Sequence, residues 1–196
     1  MTTTPPLILA SSSPYRRELL DRLAVPYSCQ SPDIDETPEP GESAEQLVRR
    51  LAVAKARAVA KTQCPALIIG CDQVSVLHGK IAGKPGDFDR AVAQLRAASG
   101  QTLDFVTGLC LLNSGSAAIQ QAVVYYRVTF RELDEAMIED YLRREQPYQC
   151  AGAFKSEGLG IALIARMDGA DPTALIGLPL IELVTMLRAQ GVAVPG

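Results

Sequence analysis

Leu7-Ile8-Leu9-Ala10-Ser11-Ser12-Ser13-Pro14-Tyr15-Arg16-Arg17-Glu18-Leu19-Leu20 decides the fold of this chain. Four small apolar residues predict a short buried strand. Three serines end it. Ser13 is a natural N-cap, and Pro14 suits the first helical position because an N–H there would have no helical partner. Leu19, Leu20 and Leu23 then supply an apolar helix stripe. The unit is a strand, a hydroxyl-rich turn and a helix N-terminus. Arg16 and Arg17 in the first turn oppose the helix dipole, and a bound phosphate would relieve that conflict. A plainly capped helix with two solvated arginines accounts for the same residues.

Outward from this unit, strands and helices alternate. Tyr27 to Ser31 predicts a second strand, followed by an acidic, proline-rich loop from Pro32 to Gly41. Ser43-Ala44-Glu45-Gln46 is a capping box. It opens a helix to about Lys61, with Leu47, Leu51, Ala54 and Ala58 on its stripe and Arg49, Arg50, Lys55 and Arg57 off it. Leu67 to Cys71 is a buried strand running into Asp72-Gln73 and extended as far as Leu77. His78-Gly79-Lys80 is a solvated turn, and Ile81 to Gly86 returns as a short strand and loop. Asp87 caps a helix through Ala97. Leu103–Leu112 and Ala122–Phe130 predict two long strands, and Asp134 caps a helix to about Glu145. Ile161–Ile164 predicts a strand, Asp168 to Pro172 a turn, Pro179 onward a last helix, and Val192 onward a tail. The expected class is α/β with a mixed, twisted sheet and flanking helices.

Composition narrows the function. At 47% hydrophobic and 21% charged, the 196 residues are those of a folded domain. A net charge of -3 and no basic run beyond two residues argue against a nucleic-acid polymer as partner. No apolar stretch would span a membrane, and the start, Met-Thr-Thr-Thr-Pro-Pro, lacks the regions of a signal peptide. Five widely spaced cysteines without C-x-x-C argue against disulfides or structural zinc, so a reducing cytoplasm is the expected setting. With His78 as the only histidine, a metal would be a hard cation on carboxylates and substrate phosphates.

Four segments place polar groups after strands or in glycine-bounded turns: Ser11 to Arg17, Asp33 to Glu36, Gly70-Cys71-Asp72-Gln73 with Gly83-Lys84-Pro85, and Lys155-Ser156-Glu157-Gly158. Ligand crevices of α/β proteins lie at strand ends. Cations beside carboxylates are what metal-assisted phosphate chemistry requires. Each piece alone has a plain structural reading. Asp72 can pair with a loop amide, Glu36 can be a solvated carboxylate, Lys84 a turn lysine, and Tyr15 a packing residue. Glu157 can pair with Lys155.

Together and in order, these segments with Asp35-Glu36-Thr37 and Ile176-Gly177-Leu178-Pro179 resemble the Maf-family nucleotide pyrophosphatases over essentially the whole chain, 1–196, as one domain. The resemblance implies an α/β fold with two lobes around a cleft, like that of the inosine-triphosphate pyrophosphatases, and often a homodimer. It implies hydrolysis of a nucleoside triphosphate between the α- and β-phosphates with a divalent metal, Mg²⁺ or Mn²⁺. Asp72 matches the family's proton acceptor. Ser11, Arg16, Lys55, Lys84 and Lys155 match its phosphate-binding positions, and Glu36 with Asp72 its metal-holding positions.

Branches of the family differ at three positions. The branch acting on dTTP and UTP has Arg, Thr and Gln where this chain has Tyr15, Gln73 and Glu157. These resemble the branch acting on 7-methyl-GTP, which removes a modified nucleotide before it is misused. Tyr15 stands where that branch often has Trp. The chemistry agrees. An aromatic face attracts the cationic 7-methylguanine ring by about 0.5–2 kcal/mol. A carboxylate accepts hydrogen bonds only, which suits guanine N–H donors and repels the acceptor edge of a pyrimidine. The alternatives are a pyrimidine triphosphate pyrophosphatase and, since the family's name reflects a link to septum formation, a nucleotide-binding regulator of cell division.

Overall fold

The computed structural model describes residues 5–195. The chain start from Met1 to Thr4 and the final Gly196 lie outside the described residues. The opening unit forms as its sequence dictates. Strand β1 is Leu7–Ala10, buried throughout, and helix α1 is Pro14–Asp21 with Pro14 in its first turn. The Ser13 hydroxyl accepts the Arg16 N–H at 3.4 Å. Strand β2 is Tyr27–Cys29 and helix α2 is Ala44–Ala60, opened by the full capping box of Ser43 and Gln46. Strand β3 is Leu67–Leu77, β4 is Lys80–Ala82 and helix α3 is Phe88–Ala98. The long strands are β5, Thr102–Asn113, and β6, Ala118–Phe130, followed by helix α4, Glu135–Glu145. Strand β7 is Ile164–Asp168, helix α5 is Pro172–Ile176 and helix α6 is Leu180–Ala189.

The sheet is mixed, as expected, in the order β2-β1-β3-β5-β6-β7 with β4 beside β3. β1 runs parallel to both β2 and β3, while the β3–β4 and β6–β7 pairs are antiparallel. The chain leaves β1 for β2 on one side and returns to β3 on the other. In α/β proteins ligands bind beside such a reversal of strand order.

Two compact units divide the chain: Met1–Asp72, Thr107–Val124 and Gly177–Gly196 form one, and Gln73–Val106 with Tyr125–Ile176 forms the other. The first has a core of small side chains, among them Ala10, Ala52, Ala56 and Ala66 with Ile8 and Ile68. Small residues let helix and strand backbones approach closely. Gly70 on β3 shows this, because a Cβ there would collide with the Ala52 carbonyl of α2. The second unit is built on large side chains. Phe154 packs at 6.0 Å from Phe105 and edge-on at 5.3 Å from Phe130, beside buried Tyr141 and Leu142. Each such ring contributes about 1.5–3 kcal/mol by burial. Among the described residues, no helix is long and apolar enough to cross a membrane.

Four local expectations are corrected. The strand expected at Ile161–Ile164 is a 3₁₀ turn over Leu159–Leu163, and β7 begins at Ile164. β7 buries only its first residue, so it carries no apolar run for a sequence reading to find. The turn expected through Pro172 opens α5. Asp171 Oδ1 accepts the Thr173 N–H at 2.9 Å and its hydroxyl at 2.6 Å, a cap followed by proline as at Ser13-Pro14. The tail folds back: Val194 is buried and its carbonyl accepts from Arg188 Nε and Nη2 at 3.0 and 2.6 Å. Finally, Lys55 lies on the buried stripe of α2 with Leu51, Ala52 and Val59, whereas Ala54 and Ala58 are only half-buried.

Candidate active site

Helix α2 lies flush on β3 at Gly70, and this contact sets the site. Lys55, nearly one helical turn after Ala52, comes beside Asp72, two residues after Gly70. Its Nζ donates to Asp72 Oδ1 at 2.6 Å and pairs with Glu36 Oε1 at 2.9 Å. The Lys55 and Asp72 side chains are 7% and 9% exposed, while Glu36, from the acidic loop after β2, is 53% exposed. A buried ammonium and carboxylate each cost several kcal/mol to desolvate unless they meet in good geometry. Here they do, just past the C-terminal end of β1 and midway along β3, where Ala10 pairs with Gly70.

The hydroxyl turn stands at the same end of β1. Ser11 is buried directly after β1, and its Oγ accepts the Ser13 N–H at 3.1 Å. Arg16 Nε donates to the Gly177 carbonyl at 2.8 Å. That contact relieves part of the conflict between Arg16 and the dipole of α1. Among the described residues, no carboxylate pairs with its guanidinium. The Cys71 thiol donates to the same Gly177 carbonyl at 3.0 Å. The Ile176-Gly177-Leu178-Pro179 segment thus ties the first turn of α1 to the middle of β3. Burial pushes the Cys71 thiol up, and it pushes Cys110 up to about 12, so both are protonated and inert as nucleophiles. Tyr15 is half-buried and Arg17 exposed in the first turn of α1.

The second unit holds the remaining sequence candidates. Gln73 donates through Nε2 to the Ala174 and Leu175 carbonyls of α5, at 2.7 and 3.1 Å. With both amide hydrogens so engaged, its other polar atom, Oε1, has only acceptor chemistry. Lys84 is exposed in the loop after β4, beside buried Pro85. Lys155 Nζ pairs with Glu145 Oε1 at 2.8 Å. Glu157 is exposed, its Oε2 accepting the Ser156 hydroxyl at 3.2 Å. Glu145 lies outside every sequence motif, and Gly177 lies inside one that gives its carbonyl no role. A carboxylate at the end of α4 has no motif, and a carbonyl acceptor has no sequence signal at all.

Among the described residues, no three His, Cys, Asp or Glu side chains gather as a metal cluster. Glu36 and Asp72 nevertheless converge on one positive charge. Two hard carboxylate oxygens suit a hard divalent cation whose other ligands are phosphate oxygens and water.

A site beside the end of β1 with two carboxylates on one buried lysine, an arginine and a hydroxyl turn is of the class that handles phosphate groups. The chain matches the family described as Maf-like protein over residues 6–190 and belongs to it. It is 60% identical over 190 residues to the 7-methyl-GTP pyrophosphatase of Methylobacillus flagellatus, covering 97% of this chain and 99% of that one. Identity to the 7-methyl-GTP pyrophosphatase of Pseudomonas savastanoi pv. phaseolicola is 58% over 191 residues, 97% of this chain and 100% of the other. The protein of that name from Pseudomonas aeruginosa is 56% identical, with the same coverage.

Proposed function

We propose that this chain hydrolyses 7-methyl-GTP to 7-methyl-GMP and pyrophosphate. The observation that carries the reading is the 56–60% identity, over 97% of the chain, to proteins bearing that name. The buried Asp72–Lys55 pair supports the hydrolytic step. Lys55 holds Asp72 through Oδ1, which leaves Oδ2 to take a proton from water. The water oxygen bonds to the α-phosphorus, its proton passes to Asp72, and the bond from that phosphorus to the bridging oxygen breaks as pyrophosphate leaves. Ser11, Arg16, Lys55, Lys84 and Lys155 bind phosphate oxygens and spread the developing charge. Glu36 and Asp72 would hold a divalent cation, Mg²⁺ or Mn²⁺. When bound, it would supply further charge neutralisation on the phosphates.

Tyr15, Gln73 and Glu157 select the base. A tyrosine face favours the cationic 7-methylguanine ring. Gln73 Oε1 and the Glu157 carboxylate are acceptors, matched to the N–H donors of guanine. Tyr15→Arg with Glu157→Gln is expected to lower the ratio of kcat/KM on 7-methyl-GTP to that on UTP by about tenfold or more. Pyrophosphate release from each substrate measures it. An unchanged ratio would place the base away from both residues.

A further inference from the structure

Glu145 is the last residue of α4, where a negative charge opposes the helix dipole, yet its side chain is only 13% exposed. Its two oxygens explain the placement. Oε1 accepts from Lys155 Nζ at 2.8 Å, and Oε2 accepts the Leu159 N–H at 2.6 Å. One carboxylate therefore clasps both ends of segment 155–159. The Lys155 N–H donates to the Tyr141 hydroxyl at 3.1 Å, one helical turn earlier on α4. Gly158 shows how tight the clasp is, since a Cβ there would lie 2.5 and 2.7 Å from the two Glu145 oxygens. Its φ of -121° asks for no glycine, so the close approach does. Glu157 stands exposed within the clasped segment. The Lys155 hydrogen bond, with help from the Leu159 N–H, holds the Glu145 carboxyl below the usual carboxylate range against the opposing effect of burial. The clasp is thus charged at neutral pH.

We infer that Glu145 is a positioning residue for nucleotide selection, fixing the turn from which Glu157 meets the base. The inference rests on the reading of Glu157 as the base-facing carboxylate. It assigns Glu145 no contact with substrate.

The test measures kcat, KM and Tm for Glu145→Gln, Gly158→Ala, Glu157→Gln and the Glu145→Gln/Glu157→Gln double variant, on 7-methyl-GTP and UTP. Glu145→Gln is expected to lower kcat/KM about tenfold more on 7-methyl-GTP than on UTP, mainly through KM, with any loss that Lys155 transmits to the phosphates shared by both substrates. Gly158→Ala, which pushes a methyl group into the clasp, shifts preference the same way and carries the test if Glu145→Gln fails to fold. In the Glu157→Gln background, adding Glu145→Gln changes preference less than about twofold, because the two act as one unit. Equal losses on both substrates, or an undiminished effect in that background, would overturn the inference. If Glu157→Gln shifts preference while Glu145→Gln and Gly158→Ala do not, the inference alone fails. If Glu157→Gln leaves preference unchanged, the reading of Glu157 fails and the inference falls with it.

Discussion

Asp72→Asn lowers kcat on 7-methyl-GTP by about 10³-fold, within the 10²–10⁴ range typical of a lost general base. Asparagine has the shape of aspartate, and its carbonyl oxygen can still accept from Lys55 Nζ, now 2.6 Å from Oδ1. What it cannot do is take a proton from water. The loss therefore falls on kcat, and KM stays within about threefold. Stability changes less. Lys55 keeps Glu36 as its partner, and leaving a 7%-exposed ammonium beside a neutral amide costs about 1–3 kcal/mol. For a chain of this size that is roughly 2–12 °C in Tm. Turnover within about threefold of the parent at saturating substrate would show that another group accepts the proton.

Lys55→Met gives the largest loss of stability. Methionine matches the lysine stem, so packing against Leu51, Ala52 and Val59 is kept. The ammonium goes, and Asp72, 9% exposed, becomes a buried charge whose Oδ1 has lost its ion pair. Removing one partner of a buried pair costs about 3–5 kcal/mol. The expected fall in Tm is roughly 6–20 °C. In the Lys55→Met/Asp72→Asn double variant neither charge remains, and much of the lost stability returns. Thermal unfolding of the two singles and the double measures this coupling. A Lys55→Met variant as stable as the parent, or a double variant as unstable as the sum of the singles, would show that the two groups do not depend on each other.

The sequence was legible where local chemistry decides structure. Ser13-Pro14 and the capping box of Ser43 and Gln46 fixed the starts of α1 and α2, because caps act within four residues. β1 and the start of β3, Leu67-Ile68-Ile69, are apolar runs, and β5 is rich in large apolar residues. β7 was not legible, since an edge strand of Ile164-Ala165-Arg166-Met167-Asp168 needs only one buried residue. α5 was missed although Asp171-Pro172 carries the same cap signal as Ser13-Pro14. Lys55 was placed off the stripe of α2 because a lysine is ordinarily solvated. Only the approach of α2 to Gly70 brings it to Asp72, and that approach depends on two segments far apart in the chain. Family membership was legible because six short segments recur in order, and the match over residues 6–190 bears it out. The partners of the motif residues were not legible. Gly177 accepts through its backbone, and Glu145 lies outside every motif.

The proposed function requires this chain to select 7-methyl-GTP among nucleoside triphosphates. Initial rates of pyrophosphate release from 7-methyl-GTP, GTP, UTP and dTTP, with Mg²⁺ and with Mn²⁺, test it most directly. The highest kcat/KM is expected for 7-methyl-GTP. UTP or dTTP as the best substrate, or nucleotide binding without turnover, would contradict it.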